Sequence, residues 1–345
     1  MTNLSPKPKI VVTGCLVERC PEKINRIAGV DAVLTMAAKE QFISGSEVWT
    51  ERSRPFLKIQ EGCPNSCSFC SASRIRGKPR SKAIEDVTLE IESLRDRGYG
   101  EIVLVGLNVG AYGADVGSSL VRLLRELRTI QDLPRIRLSS LEPDAITAEL
   151  LRLWDELPLC RHLHIPLQSG SDRVLKAMAR NYSSAEYAER ITTIARSIPA
   201  IALGTDVIVG FPAEDEGAFL ETKHLLERLP FAYFHVFSYS PRPGTPAYDL
   251  GDPIPKAEKR RRSQILRELG SKKSLEYRQR FLGQVLPVVV EGHNRALTDN
   301  YIRVELGHRD HPKSAQALVH PLRPVVINVV EASLTFGETL KSSRF

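Results

Sequence analysis

Three cysteines carry the clearest chemistry in this 345-residue chain. Cys63, Cys67 and Cys70 lie in EGCPNSCSFCSASRIR at C-x3-C-x2-C spacing, just after the apolar run Phe56-Leu57-Lys58-Ile59. Three thiolates on one short loop can hold three irons of a 4Fe–4S cubane. Such a cluster normally takes four cysteines, so one iron stays open to another ligand. A structural zinc site wants four nitrogen or sulfur ligands, usually as two pairs. No second C-x2-C pair is present, and His162 and His164 lie far along the chain. Disulfide stapling fits poorly with six cysteines in this length and an N-terminus, MTNLSPKPKIVV, without the apolar core of a signal peptide.

The elements that must position this loop read as an α/β chain. From Phe56 onward, apolar runs alternate with amphipathic segments, the pattern of parallel β/α units. The expected strands are Phe56–Gln60, Glu101–Val105, Arg135–Ser139, His162–Leu167, Ala202–Val209 and Tyr233–Ser238. Helices are expected between them, for instance Ala83–Arg97, Leu120–Ile130 and Glu216–Leu229. Six such units form a partial β/α barrel, open on one side, whose active-site groups belong at the C-terminal ends of strands. Each strand here runs into polar or glycine-containing sequence: the cysteine loop, then Gly106 and Asn108, Ser140 and Glu142, Gln168 and Ser169, Gly210 and Glu214, and SYSPRPGTPA. Taken singly, each of these is more often a turn residue than a ligand. Their convergence on one rim is what suggests a site.

Outside that core, residues 9–50 supply only two strands, Lys9–Gly14 and Asp31–Thr35, and two helices, Pro21–Ala28 and one running through Phe42, too few to cover both faces of a parallel sheet. After Pro253 and Pro255 a helix is expected over Lys256–Phe281, with a break at Gly270. Short β runs at Gln284–Val290, Tyr301–Glu305, Gln316–Val319 and Pro324–Val330 then read as a small β-barrel of OB-like size. The expected division is 1–50, 51–282 and 283–345.

Composition is that of a soluble globular protein, 42% hydrophobic and 26% charged. No apolar run is long enough to cross a bilayer, so a cytoplasmic protein with no membrane partner is expected. The net charge of +7 resides in Lys256–Phe281, where ten Lys/Arg face three Glu; elsewhere the signs balance. This surplus, including Arg261 and Arg262, suggests a polyanionic partner or simply a solvated helix face. Arg74, Arg76, Lys78, Arg80 and Lys82 alternate after the cysteine loop. In an extended chain they would share a face suited to phosphate. His162 and His164 share one side of a strand and read as core or hydrogen-bonded residues, and Cys160 reads as a core thiol.

The loop, with aromatic Phe69 before its last cysteine, resembles the signature of radical S-adenosylmethionine enzymes. LVGLNVGAYG, HIPLQSGSD, TDVIVGFPAE and YSPRPGTPA resemble core segments of the methylthiotransferases within that family. The likeness covers most of residues 56–250. It implies that Cys63, Cys67 and Cys70 hold the radical-generating cluster, with Phe69, Gly106, Asn108, Glu142, Gln168 and Asp206 around S-adenosylmethionine. TGCLVERCPE resembles the end of the methylthiotransferase N-terminal domain, where Cys15 matches the third ligand of a second, sulfur-delivering cluster. The two earlier cysteines of that pattern have no counterpart here, so the first domain reads as incomplete and the chain as holding one cluster or two. GHNRALTDNYIRVEL resembles the TRAM RNA-binding module and, in TDNY, the branch acting on threonylcarbamoyladenosine in tRNA. That implies RNA contacts by Tyr301 and Arg303. The resemblance thus implies a tRNA methylthiotransferase that needs an electron donor such as a flavodoxin or ferredoxin, and a sulfur donor. Its rivals are an enzyme modifying a ribosomal-protein aspartate, a chain that cleaves S-adenosylmethionine without inserting sulfur, and an RNA-binding protein with a vestigial loop.

Overall fold

The computed structural model describes residues 9–35, 38–39, 52–292, 294–307 and 322–339. Near the N-terminus, β1 (Val11–Thr13) and β2 (Ala32–Leu34) pair in parallel, joined through helices α1 (Cys15–Arg19) and α2 (Pro21–Asn25). The strand boundaries follow the sequence reading to within two residues. The further helix expected through Phe42 falls mostly outside the described residues.

The central architecture is an arc of parallel strands in chain order. β3 (Phe56–Lys58), β6 (Glu101–Val105) and β7 (Arg135–Leu138) form one sheet, while β8 (His162–His164), β9 (Ala202–Val209) and β10 (Tyr233–Ser238) form the other. All their pairings are parallel. The halves are joined through a bridge between Ile136 and Leu159, flanked by the bonds Ile136 N–H to Pro158 O (2.9 Å) and Cys160 N–H to Ile136 O (2.8 Å). The result is the partial six-stranded β/α barrel that the alternation implied, with β3 and β10 as open edges.

Period-two alternation decides which residues face the helices and which the lumen. On β9, Leu203, Val207 and Val209 join the main core with Ile191, Leu225 and Leu226, and Thr205 Oγ1 meets the Tyr187 hydroxyl at 3.1 Å. Gly204 and Asp206 alternate to the inner side. A Cβ on Gly204 would come within 2.2 Å of the Tyr233 ring, so only glycine lets that ring lie across the lumen.

Two short strands and a helix dress the cysteine loop. β4 (Gln60–Glu61) pairs antiparallel with β5 (Arg80–Ser81), and α3 (Ala72–Arg76) lies between them. The alternating basic residues therefore do not form one extended row: Arg74 and Arg76 sit on a helix, and Arg80 sits on a strand.

The helix expected to break at Gly270 is continuous from Lys256 to Gln279. Gly270 marks a close approach instead, since a Cβ there would lie 3.2 Å from the Phe234 ring. Beyond it, β11 (Val285–Val290), β12 (Arg295–Thr298), β13 (Arg303–Leu306), β14 (Arg323–Val330) and β15 (Thr335–Thr339) close a small barrel in the order β11-β12-β13-β15-β14. β12 and β15 were not anticipated, and Gln316–Val319 lies outside the described residues. Among the described residues no helix is long and apolar enough to cross a membrane.

The β-barrel docks on the N-terminal end of the arc. Glu101 and Arg135 open β6 and β7, and Glu101 accepts from Arg135 (2.6 Å) and Arg137 (2.7 Å). Both arginines continue outward: Arg135 donates to the carbonyls of Pro287 and Leu297, and Arg137 to those of Thr298 and Asp299. Arg161 clamps the Asp299 carboxylate. Burial pushes Glu101 up, but Arg137, Arg135 and Arg54 outweigh it and hold the carboxyl at about 2.

Candidate metal centre and its surroundings

Backbone ties fix the cysteine loop before any metal is considered. Gly62 has φ +76°, and a Cβ there would fall 2.0 Å from the Lys78 carbonyl oxygen. Cys63 N–H donates to Gly77 O (3.1 Å), Ser68 N–H to Met178 O (3.0 Å) and Ala247 N–H to Ser68 O (2.8 Å). Phe69 packs with Val174, Met178, Phe211, Tyr239 and Ala247, so its placement is that of an anchor under the loop. The three thiols are unbridged; Cys67 is buried, Cys63 and Cys70 half-buried.

The next rim segment is built around Gln60. Its amide donates to the carbonyls of Glu61 and Gly62 and accepts from Asn108 N–H (3.0 Å). A Cβ on Gly106 would press on the Gln60 side chain at 2.9 Å, which accounts for glycine there. Asn108 Nδ2 reaches Cys63 Sγ at 3.8 Å, a weak contact, while its buried Oδ1 has no partner.

A residue the sequence reading did not single out completes the setting. Arg180 donates to Cys67 Sγ at 3.1 Å and pairs with the Glu142 carboxylate. Its side chain is 3% exposed. Cys67, Glu142, Arg180, Asn65 and Tyr182 line a small cavity of about 50 Å³ beside the loop. Gln168 takes a left-handed backbone (φ +68°) and bridges to β9 by its N–H to Asp206 O (2.9 Å). Nothing local in the sequence announces Arg180, because its partners stand 38 and 113 residues away.

Asp206 lies among imidazoles on the β8–β10 side of the lumen. His164 Nε2 and His235 Nδ1 each stand 3.0 Å from its Oδ1. Burial pushes this carboxyl up, yet the two histidine bonds outweigh it and hold it well below the usual range. Cys15 is brought to Arg76, whose guanidinium reaches its Sγ at 3.3 Å and also pairs with Glu61.

Two residues expected at RNA are placed elsewhere. Arg262 is buried and spends its guanidinium on Glu214 and Glu258, so it cannot present charge to a phosphate. Tyr301 stacks on His162 (centroids 4.1 Å apart) and on Tyr233 (5.3 Å), plugging the lumen rather than offering a face to a base. The basic helix is also less free than its charge implied. Lys259 and Arg278 are buried in internal hydrogen bonds, and Arg261 pairs with Glu216 and Glu258. Arg74, Arg80 and Arg303 remain exposed.

The donor set suits an iron–sulfur cluster. Three unbridged thiols on one short loop fit three irons, and burial pushes Cys63 and Cys67 up, so thiolates there call for nearby positive charge.

The comparisons agree with this chemistry. Residues 57–226 match the radical SAM superfamily. The threonylcarbamoyladenosine tRNA methylthiotransferase of Aquifex aeolicus is 36% identical over 344 residues, covering 91% of this chain and 84% of the relative. Its Bacillus subtilis counterpart is 35% identical over 87% of this chain and 75% of its own length. A tRNA-2-methylthio-N(6)-dimethylallyladenosine synthase of Acetivibrio thermocellus is 34% identical over 85% and 67%. With a 4Fe–4S cluster and S-adenosylmethionine as its cofactors and tRNA as its substrate, the chain belongs to the radical S-adenosylmethionine methylthiotransferase family, on the threonylcarbamoyladenosine branch.

Proposed function

We propose that this methylthiotransferase replaces the C2–H of an N6-threonylcarbamoyladenosine beside the tRNA anticodon with a methylthio group. The identity to the Aquifex enzyme across 84% of that protein carries this reading, and the loop that retains all three cysteines supports it. When bound, the cluster supplies an electron and S-adenosylmethionine the adenosyl radical and the methyl group. Cys63, Cys67 and Cys70 hold the cluster. Glu142 with Arg180, Asn108, Gly106 and Gln168 shape the space for S-adenosylmethionine, and Phe69 braces the loop. Cys15 is the one position that matches a second, sulfur-delivering cluster, and the chain holds one cluster or, with ligands besides Cys15, two.

Residues 1–50, 51–282 and 283–345 act as the N-terminal piece, the radical core and a TRAM-like RNA-holding barrel. Exposed Arg74, Arg80, Arg261 and Arg303 steer the RNA backbone. A flavodoxin or ferredoxin serves as electron donor, a separate donor restores sulfur, and the reaction takes place in the cytoplasm.

The test is anaerobic reconstitution with S-adenosylmethionine, a reductant and threonylcarbamoylated tRNA. Methylthio nucleoside in the digest, formed with 5′-deoxyadenosine, is the expected result. Deoxyadenosine without methylthio product would mean that the chain cleaves S-adenosylmethionine but does not insert sulfur. Product on a ribosomal protein and none on tRNA would sink the reading.

A further inference from the structure

We infer that Asp206 and His235 form the subsite that recognises the polar N6-substituent of the target adenosine; the inference rests on the substrate reading above. A continuous hydrogen-bonded chain crosses the lumen. His162 Nε2 lies 2.8 Å from the Tyr233 hydroxyl, which lies 3.1 Å from His164 Nδ1. His164 Nε2 and His235 Nδ1 both meet Asp206 Oδ1 at 3.0 Å.

The ionised Asp206 oxygen only accepts, so His164 Nε2 and His235 Nδ1 donate to it. Further in, the Tyr233 hydroxyl lies between His164 Nδ1 and His162 Nε2 and can donate to one ring while accepting from the other. His162 Nδ1 is a buried ring nitrogen without a partner. At its inner end the chain is capped by Tyr301 stacked on His162.

The outer end is open. His235 Nε2 and Asp206 Oδ2 have no hydrogen-bond partner among the described residues. The His235 side chain is 57% exposed, and Phe237, 6.3 Å away edge-on, is exposed as well. The lumen therefore presents an ionised carboxylate oxygen, an imidazole nitrogen and an aromatic ring side by side. The carboxylate oxygen only accepts, so a ligand that fits brings an N–H or O–H donor for it, a polar atom for the imidazole and a flat ring for Phe237.

A threonylcarbamoyl group on adenine brings a ureido N–H for Asp206 Oδ2 and a hydroxyl and a carboxylate for His235 Nε2, with the base free to stack on Phe237. A dimethylallyl group adds no donor beyond the N6–H that both modified bases carry and would cover Asp206 Oδ2 without supplying it a partner, an arrangement that rejects analogues. The same three side chains could gather a divalent ion.

The experiment measures affinities of the reconstituted protein, with S-adenosylmethionine present, for anticodon stem-loops carrying threonylcarbamoyladenosine, dimethylallyladenosine or plain adenosine. The unaltered chain should favour the threonylcarbamoyl loop over the dimethylallyl loop by about tenfold or more. His235→Phe and Asp206→Asn should each cut that ratio about tenfold. A ratio unchanged in both variants, or equal weakening on all three loops, would overturn the subsite while leaving the substrate reading intact. A chain that favours the dimethylallyl loop, or none, before any substitution would overturn the substrate reading and the subsite with it.

Discussion

At the N-terminal end of the arc, Glu101 accepts from Arg135 and Arg137, and both arginines spend further N–H groups on carbonyls of the β-barrel. At the C-terminal end, Asn108 Oδ1 is buried without a partner and two thiols are pushed up by burial, while the lumen beside them leaves Asp206 Oδ2 and His235 Nε2 open. The two ends draw on the same kinds of polar side chain. In one the charged groups are paired within the chain and join two domains; in the other the cysteine thiols are left unbridged and Asn108 Oδ1 unpartnered, with a cavity beside Cys67. Unsatisfied buried polar atoms are costly, and beside three metal-binding thiols such an atom marks a place where a ligand completes the set.

Breaking the open end should cost function and little stability. Replacing Cys63, Cys67 and Cys70 together with alanine should abolish deoxyadenosine formation and remove about four irons per chain, with the thermal midpoint of the apoprotein little changed. Iron and sulfide analysis checks this. Iron that survives the triple substitution would place ligands elsewhere, Cys15 first among them. Breaking the sealed end should do the reverse. Glu101→Gln leaves buried guanidiniums without their counter-charge and should cost about 3–5 kcal/mol in urea unfolding. The folded carboxyl sits at about 2, against roughly 4.3 in the unfolded chain. Its contribution is therefore full above the unfolded value and lost as pH falls toward 2, and the variant should lack that part of the acid dependence. A loss under about 1 kcal/mol would mean that the network is not what holds this end.

This contrast explains which parts were legible in the sequence. The six core strands could be read because each is a short apolar run between polar turns, a property of neighbours in the chain. The cysteine loop could be read because its ligands are three and four residues apart. Arg180 and the His162-to-His235 chain could not, since the first meets its partners across loops and the second across paired strands, both bringing distant positions together. The same limit misplaced Arg262 and Tyr301. A basic residue on a helix and an aromatic in a turn look alike whether they face solvent or a partner domain, and here Glu214 and His162 claimed them. Gly270 was misread for a related reason: a glycine spared a clash with Phe234 is locally indistinguishable from one that ends a helix.

A gentler break at the open end separates the loop from what surrounds it. Arg180→Met keeps the three thiols but removes the donor to Cys67 and the partner of Glu142. Residues around a metal's ligands typically change affinity or activity about 10- to 100-fold. The expected result is faster iron loss to a chelator and weaker S-adenosylmethionine binding, with iron still near four per chain when freshly reconstituted. An unchanged chelation rate and unchanged binding would reduce Arg180 to a packing residue.

The smallest effects should show from which end the RNA approaches. Arg74 and Arg80 are exposed near the cysteine loop, whereas Arg303 is exposed on the barrel that seals the other end. A phosphate contact contributes a salt dependence, so losing one lowers the slope of log affinity against log salt by about 1. If tRNA spans both ends, Arg80→Ala and Arg303→Ala should each lower the slope by that amount, and the double variant by about 2. If it enters only beside the loop, Arg303→Ala should leave the slope unchanged while Arg74→Ala and Arg80→Ala reduce it. The barrel would then act by bracing the arc through Arg135 and Arg137 rather than by touching RNA. Because the effect is read as a slope, it is insensitive to small changes in stability that would move all affinities together.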